Sequence, residues 1–173
     1  KGFDSIRSDF PKDFRKFMGQ SIIDILKKVG RDEMNEKVRL EKERIVKSAN
    51  LRDILLPTGV KEISKFKYGQ KGTPIHVKSA QNYNKLLELF KIENLPKIED
   101  GDKILWAYLK PNSFGFETLA IRGYDDPDQI VEFLERFADR KMVFENRLLN
   151  KMQEIWNNLG WGKINLDADN DFF

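Results

Sequence analysis

Cysteine is absent from the 173 residues, and histidine occurs once, at His76. The first absence removes thiolate catalysis, disulfides and cysteine-based zinc sites together; it fits a reducing compartment without requiring one. A single histidine cannot form a two-histidine metal site, and with no titrating partner near it in sequence it is a poor member of a catalytic triad. No apolar run approaches the roughly 18 residues of a membrane-spanning helix, and no signal-peptide pattern opens the chain. A phosphate-cradling Gly-x-x-x-x-Gly-Lys loop is missing, as are internal repeats and low-complexity linkers. DADND at residues 167–171 mimics the first half of a calcium loop, but phenylalanine stands where that loop needs its sixth-position glycine. Carboxylates are plentiful, yet none sits on an apolar strand where a two-metal site would hold it. Composition and spacing point away from an enzyme.

What is present is apolar mass and unevenly placed charge. The hydrophobic share is 40%, with 13 Phe and 3 Trp, ample for a core. A chain of this length forms one domain or two small ones and buries about 70% of the surface its unfolded form exposes. Net charge is only +3, but residues 1–91 hold 21 Lys/Arg against 12 Asp/Glu, and residues 92–173 hold 10 against 16. Such asymmetry suggests a first half that faces a polyanion; uneven solvated charge is the plainer alternative. The first residue is Lys1 rather than methionine, which suggests a piece of a longer polypeptide.

Periodicity outlines the elements. Pro11 opens a helix with Phe14, Phe17, Met18, Ile22, Ile25, Leu26 and Val29 at helical spacing, and Gly30 is its expected terminator. A second helix over 31–48 carries a thin stripe of Met34, Val38, Ile45 and Ala49 on an otherwise charged cylinder. LRDILLPTG reads as a strand or extended segment, and KEISKF as a brief helical turn. EDGDKILWAYL and ETLAIRG are strand-like runs joined by KPNSFGF as a hairpin. A short helix capped by Asp126 and Pro127 follows, then a longer one to about Leu159, with Leu148, Leu149, Met152, Ile155, Trp156 and Leu159 as core. The tail KINLDADNDFF has no periodicity and is expected to be mobile. The fold class is therefore α+β, mostly helical, with a small hairpin or sheet.

Residues 71–87, KGTPIHVKSAQNYNKLL, pose a question of shape. Ile75 and Val77 alternate with His76 and Lys78 as in a strand, yet Thr73-Pro74 resembles a helix start. Ala80, Tyr83, Leu86, Leu87 and Phe90 continue in steps of three to five, so a helix from Thr73 is expected. A helix start offers free N–H groups and partial positive charge to a phosphate, and Lys71, Lys78 and His76 add side-chain donors. Lys61, Lys65, Lys67, Lys71 and Lys78 face only Glu62, a local +4. A capped helix beside a solvated loop is the alternative.

Four segments, in order, resemble the C-terminal part of family-B DNA polymerases of the T-even bacteriophage type. KGFDSIRSDFPKDFR is similar to the lead-in of that family's thumb. GTPIHVKSAQNYN resembles its Pro-x-His-(Ile/Val)-(Arg/Lys) segment. EDGDKILWAYLKPNSFG resembles its Asp-Gly-x-Lys hairpin, although Asn112-Ser113-Phe114 lacks the usual proline. ENRLLNKMQEIWNNLGW resembles its closing helix. The resemblance covers essentially residues 1–166 and implies a thumb-like domain over 1–162. Within it, residues 1–50 and 127–160 would form a helical base, and 51–126 a part with the basic helix and hairpin; 163–173 would be a flexible tail.

The resemblance implies a function without local chemistry. The family's metal-binding aspartates, fingers and exonuclease carboxylates would lie upstream of Lys1, so this chain would be inactive alone, with Mg²⁺ expected only in an absent palm domain. It would grip primer–template duplex DNA through the sugar–phosphate backbone during replication, in the cytoplasm of an infected bacterium. The implied contacts are Arg7, Ser8, Lys71, Thr73, His76, Lys78 and, at the hairpin tip, Lys110. For Arg7 an ion pair with Asp4 or Asp9 is the alternative. Asp171, Phe172 and Phe173 would dock into a sliding clamp, and the palm, fingers and exonuclease domains would be fused or separate partners. A missing neighbour domain implies an exposed apolar patch near Phe3, Phe10 or Phe14. The alternative of another class is a helical protein–protein interaction module, a replisome or clamp partner that binds no DNA itself.

Overall fold

The computed structural model describes residues 9–167 and divides the chain into two units, one comprising residues up to Ile54 and from Arg140 onward, the other Leu55–Asp139. The architecture is α+β, with helices predominating over a small antiparallel sheet. Residues 127–139, expected in the helical base, belong instead to the sheet-containing unit.

In the first unit, α1 (Lys12–Leu26) starts after Pro11, whose φ of −54° suits a helix edge and whose carbonyl accepts from the Arg15 amide at 2.9 Å. Phe14 and Met18 are buried beneath it. The chain leaves α1 before the predicted stop at Gly30: Lys28 takes a left-handed φ of 65°, and the Val29 amide closes back on the Asp24 carbonyl at 3.1 Å. Gly30 instead begins α2 (Arg31–Lys47), its carbonyl accepting from Met34. Leu26, the last residue of α1 and part of the expected apolar stripe, is 77% exposed. The expected apolar patch is not at Phe14, which is fully buried with Phe10 edge-on at 5.7 Å; Phe3 lies outside the described residues. The stripe Met34, Val38, Ile45 and Ala49 is buried as its spacing requires. A turn of helix, α3 (Leu51–Ile54), follows where the sequence suggested extended chain.

Further along the chain, α6 (Arg140–Val143), a π-helical stretch (Phe144–Leu149) and α7 (Asn150–Leu159) run on without a break. Phe144, Leu148, Met152 and Trp156 lie four residues apart and are all fully buried. Steps of four overshoot an α-helical turn by about 40° each; the wider π turns at Phe144–Leu149 offset part of that drift. Leu149 and Ile155 are only half-buried and Leu159 is exposed, so the core stripe is narrower than expected. Polar contacts tie the helices together. Trp156 Nε1 donates to Asn35 Oδ1 at 2.7 Å, and Arg140 Nη1 donates to the Ile45 and Ala49 carbonyls at 3.2 and 2.6 Å, where the end of α2 leaves carbonyls free. Asp24 on α1 accepts from Lys37 Nζ at 2.8 Å and Gln20 Nε2 at 3.0 Å.

In the second unit, β1 (Leu56–Gly59), β2 (Lys103–Tyr108) and β3 (Thr118–Ile121) form an antiparallel sheet with β2 central, Leu56 opposite Trp106 and Leu105 opposite Ile121. A 3₁₀ turn (Ile63–Lys65) follows β1. The helix α4 (Ile75–Leu89) packs on β3, all four of whose residues are buried. Its inner face is Val77, Ala80, Tyr83, Leu86 and Leu87 together with Ser79 and Asn82. Asn82 Nδ2 donates to the Thr118 carbonyl at 2.8 Å, while Ser79 and Thr118 share a hydroxyl–hydroxyl bond that continues to the Ala107 carbonyl. The remaining helix, α5 (Asp128–Phe137), starts after Pro127. Asp126 does not cap it; its carboxylate accepts from the Arg122 and Gly123 amides, both at 2.7 Å, and closes the preceding turn. The far end of α5 is stitched to β2 by the Lys110 amide on the Phe137 carbonyl and the Asp139 amide on the Tyr108 carbonyl. That stitching explains why this helix sits with the sheet.

Two outcomes test these contacts. The Lys37 and Gln20 hydrogen bonds hold the Asp24 carboxyl below its ordinary 3.8. A lowered folded value contributes stability that is present above the unfolded value and lost as pH falls through the folded one. Asp24→Asn should therefore lower the urea midpoint at neutral pH, and the gap to the parent protein should close below pH 3.8. Asn82→Ala removes a buried donor to Thr118 and should cost about 2 kcal/mol, read from the same denaturation curve.

Candidate functional site

The corner before α4 is built by two glycines and a glutamine. Gly69 and Gly72 hold φ of 77° and 83°, left-handed values that favour glycine. Gln70 Oε1 accepts from the Lys67 amide at 3.0 Å, and the Gln70 carbonyl accepts the Thr73 hydroxyl at 2.8 Å. Thr73 therefore does not cap the helix. Its hydroxyl faces backward, the residue is 6% exposed, and Pro74 takes the cap position with its carbonyl accepting from the Lys78 amide. The helix starts at Ile75, two residues later than expected, and no side chain caps its first amides. Thr73 is scaffolding here rather than open contact surface.

The lysines are the free groups of this corner. Lys65 pairs with Glu62 at 3.3 Å on an exposed face. Lys61, Lys67, Lys71, Lys78 and, in the hairpin connection between β2 and β3, Lys110 have no ion-pair partner among the described residues. Lys71 and Lys110 are exposed and Lys78 is half-buried. His76, in the first turn of α4, is half-buried, and burial lowers its imidazole below the ordinary 6.5. The lowered value disfavours its charged form. The remaining expected site residues, Arg7, Ser8, Asp171, Phe172 and Phe173, lie outside the described residues. The basic half of the sequence is not a basic unit: the sheet-containing unit holds 12 Lys/Arg and 13 Asp/Glu.

Two grooves flank the outer edge of α4, and Tyr68 lines both. The larger, about 590 Å³, runs past Asn84, Lys85, Glu88, Lys97 and Asp100. Its cations are spent internally, since Glu88 accepts from Lys97 at 2.7 Å and lies 3.6 Å from Lys85. Asn84 brackets Ile98 with both arms, its Oδ1 accepting the Ile98 amide and its Nδ2 donating to the carbonyl. The smaller groove, about 210 Å³, lies between Tyr68 and the hairpin residues Phe114, Gly115, Phe116 and Glu117, with Lys78 and Gln81 along α4. Here the hairpin's departure from the resembled pattern is resolved by Asn112. Its Nδ2 donates to the Lys110 and Phe116 carbonyls and its Oδ1 accepts the Phe114 and Phe116 amides, so one side chain supplies the rigidity a proline would.

Sequence reading missed Tyr68, Gln81 and Phe114. A signal was available: Tyr68-Gly69 and Phe114-Gly115 each place an aromatic ring beside a glycine in a polar loop. Tyr83 is the buried polar group of this unit whose hydroxyl has no hydrogen-bond partner among the described residues, but it lines neither groove. Burial and the Asp126 charge hold its phenol well above the ordinary value.

No group of three or more His, Asp or Glu that could hold a metal ion occurs among the described residues, and no helix among them is long and apolar enough to cross a membrane. Comparison with protein-family models and with curated proteins finds no match.

The state of His76 is directly measurable. Its imidazole ¹H resonances should titrate below pH 6.5, and stability should fall as pH drops from that value toward the folded one, because the unfolded chain then binds the proton first. Titration at or above 6.5 would show that burial does not disfavour the charged imidazole.

Proposed function

We propose that this chain is the thumb module of a family-B DNA polymerase of the T-even phage type. It grips primer–template duplex through its sugar–phosphate backbone, while polymerisation belongs to palm, fingers and exonuclease domains fused to it or supplied by another subunit. Four ordered segments of resemblance support the reading. The observation that carries it is the run of lysines without an ion-pair partner among the described residues, Lys61, Lys67, Lys71 and Lys78, leading into the start of α4, which no side chain among them caps. Cations and free helix amides bind phosphate without reading bases, which suits an enzyme that must hold every sequence equally.

Fluorescence anisotropy with labelled primer–template DNA tests the proposal. Binding should be sequence-independent, on the order of 10⁻⁴ to 10⁻⁶ M, with log K falling against log salt at a slope near −4.5 for about five phosphates. The double variant Lys71→Ala/Lys78→Ala should weaken binding alike on all sequences and make the slope shallower by about 2. Binding indifferent to salt would overturn the proposal.

A second reading, a protein–protein interaction module, is favoured by one observation. Ile23 and Leu26 on α1 and Leu40 and Val46 on α2 are 45%, 77%, 50% and 38% exposed, apolar side chains that a partner would cover. A sliding clamp is its candidate partner through Phe172 and Phe173. Retention on an immobilised clamp that is lost on removing those two residues, with no affinity for DNA, would select it.

A further inference from the structure

We infer that the groove between Tyr68 and Phe114 takes one unpaired nucleobase, with the phosphate of its nucleotide on Lys78. The inference rests on the proposed function only in taking nucleic acid as the ligand of this face. Both rings are held in place yet open. The Tyr68 hydroxyl donates to Asn82 Oδ1 at 3.1 Å, and the residue is 54% exposed. Phe114 is backed by Phe90, Phe116 and Phe133, with ring centroids at 6.1, 5.4 and 5.4 Å, and is still 38% exposed. An aromatic ring fixed on a polar loop and left in water is a stacking surface already prepared for its ligand.

The polar lining narrows the ligand's chemistry. Gln81 lines this groove from α4, one of its two Nε2 hydrogens donated to the Phe66 carbonyl at 2.8 Å. Glu117 adds an exposed carboxylate. The carboxylate repels phosphate from the interior, so the anionic part of the ligand belongs with Lys78. At about 210 Å³ the groove is smaller than the roughly 300–1,000 Å³ of sites for drug-sized ligands, room for one ring system and not for a base pair. A duplex offers no free base, so the ligand is a single strand or a frayed end. The larger groove lacks these properties, because Glu88 neutralises its lysines.

The test compares a short thymidine oligonucleotide with a fully abasic strand of equal length and charge, by anisotropy at one low salt concentration. The intact protein should bind the base-bearing strand about tenfold more tightly. Phe114→Leu, which keeps apolar bulk but removes the ring face, should abolish that preference and leave duplex affinity unchanged. Equal affinity of the unaltered protein for the two strands would overturn the inference, and that comparison needs no variant to fold. Persistence of the preference in a folded Phe114→Leu protein would also overturn it. Duplex binding without base preference sinks this inference alone; base preference without duplex binding sinks the thumb reading alone.

Discussion

Asn82 and Thr118 fix the geometry on which the candidate site depends. Each is buried, and between them run the hydrogen bonds that lock α4 onto β3. The proton count makes this a directed chain. Ser79 and Thr118 have one hydroxyl proton each, but contacts reach the Ile75 carbonyl, each other and the Ala107 carbonyl, so two of the three can be donated at once. Either orientation leaves both hydroxyls donating. A buried polar pair of this kind adds little net stability, yet it fixes register, because sliding α4 by one residue would strand several polar groups away from water.

The lock extends outward to the surface. Asn82 uses its remaining oxygen on the Tyr68 hydroxyl, and its neighbour Gln81 holds the Phe66 carbonyl, so the loop before the helix is positioned from the same turn that is anchored to the sheet. Lys78 lies one residue before Ser79 on the same helix. The lysine and the tyrosine are thus placed by buried neighbours and not by each other. On the opposite wall, Asn112 does the same for Phe114. Rigid presentation matters to a weak, non-specific binder, since every side chain it must order on binding subtracts from a small gain.

Periodicity made the helices legible and left their ends obscure. The stripes Met34–Val38–Ile45 and Leu148–Met152–Trp156 are fully buried because apolar spacing alone decides which face turns inward. The ends depended on particular hydrogen bonds that spacing does not encode. Thr73 reads as a cap by type, but Gln70 supplied a nearer acceptor for its hydroxyl. Asp126 reads as a cap too, and two loop amides claimed its carboxylate first. Lys28 took the left-handed turn that Gly30 seemed suited to. The π stretch was hidden as well, because its one signal is a strict four-residue repeat that an α-helix tolerates over a short run. Of the candidate site, the lysines were visible by count. The rings were not, since nothing in sequence says that two loops far apart along the chain flank one helix.

Charge by halves of the sequence misled for a related reason. The sheet-containing unit draws from both halves, and its acidic residues slightly outnumber its basic ones. Net charge is nevertheless the wrong measure of whether a surface meets a polyanion. At physiological salt, charges more than about 8 Å apart are largely screened from one another, so acids on α5 do not cancel lysines elsewhere on the unit in proportion to their number. What counts is whether a cation is already neutralised by a contact partner. By that measure residues 61–78 differ from the larger groove: Lys85 and Lys97 converge on Glu88, whereas Lys61, Lys67, Lys71 and Lys78 have no carboxylate in contact among the described residues. A lysine of the first kind must break a contact before it can hold phosphate, and a lysine of the second kind need only release its counterions. The difference between the two grooves therefore lies in the placement of Glu88, and not in how many lysines each contains.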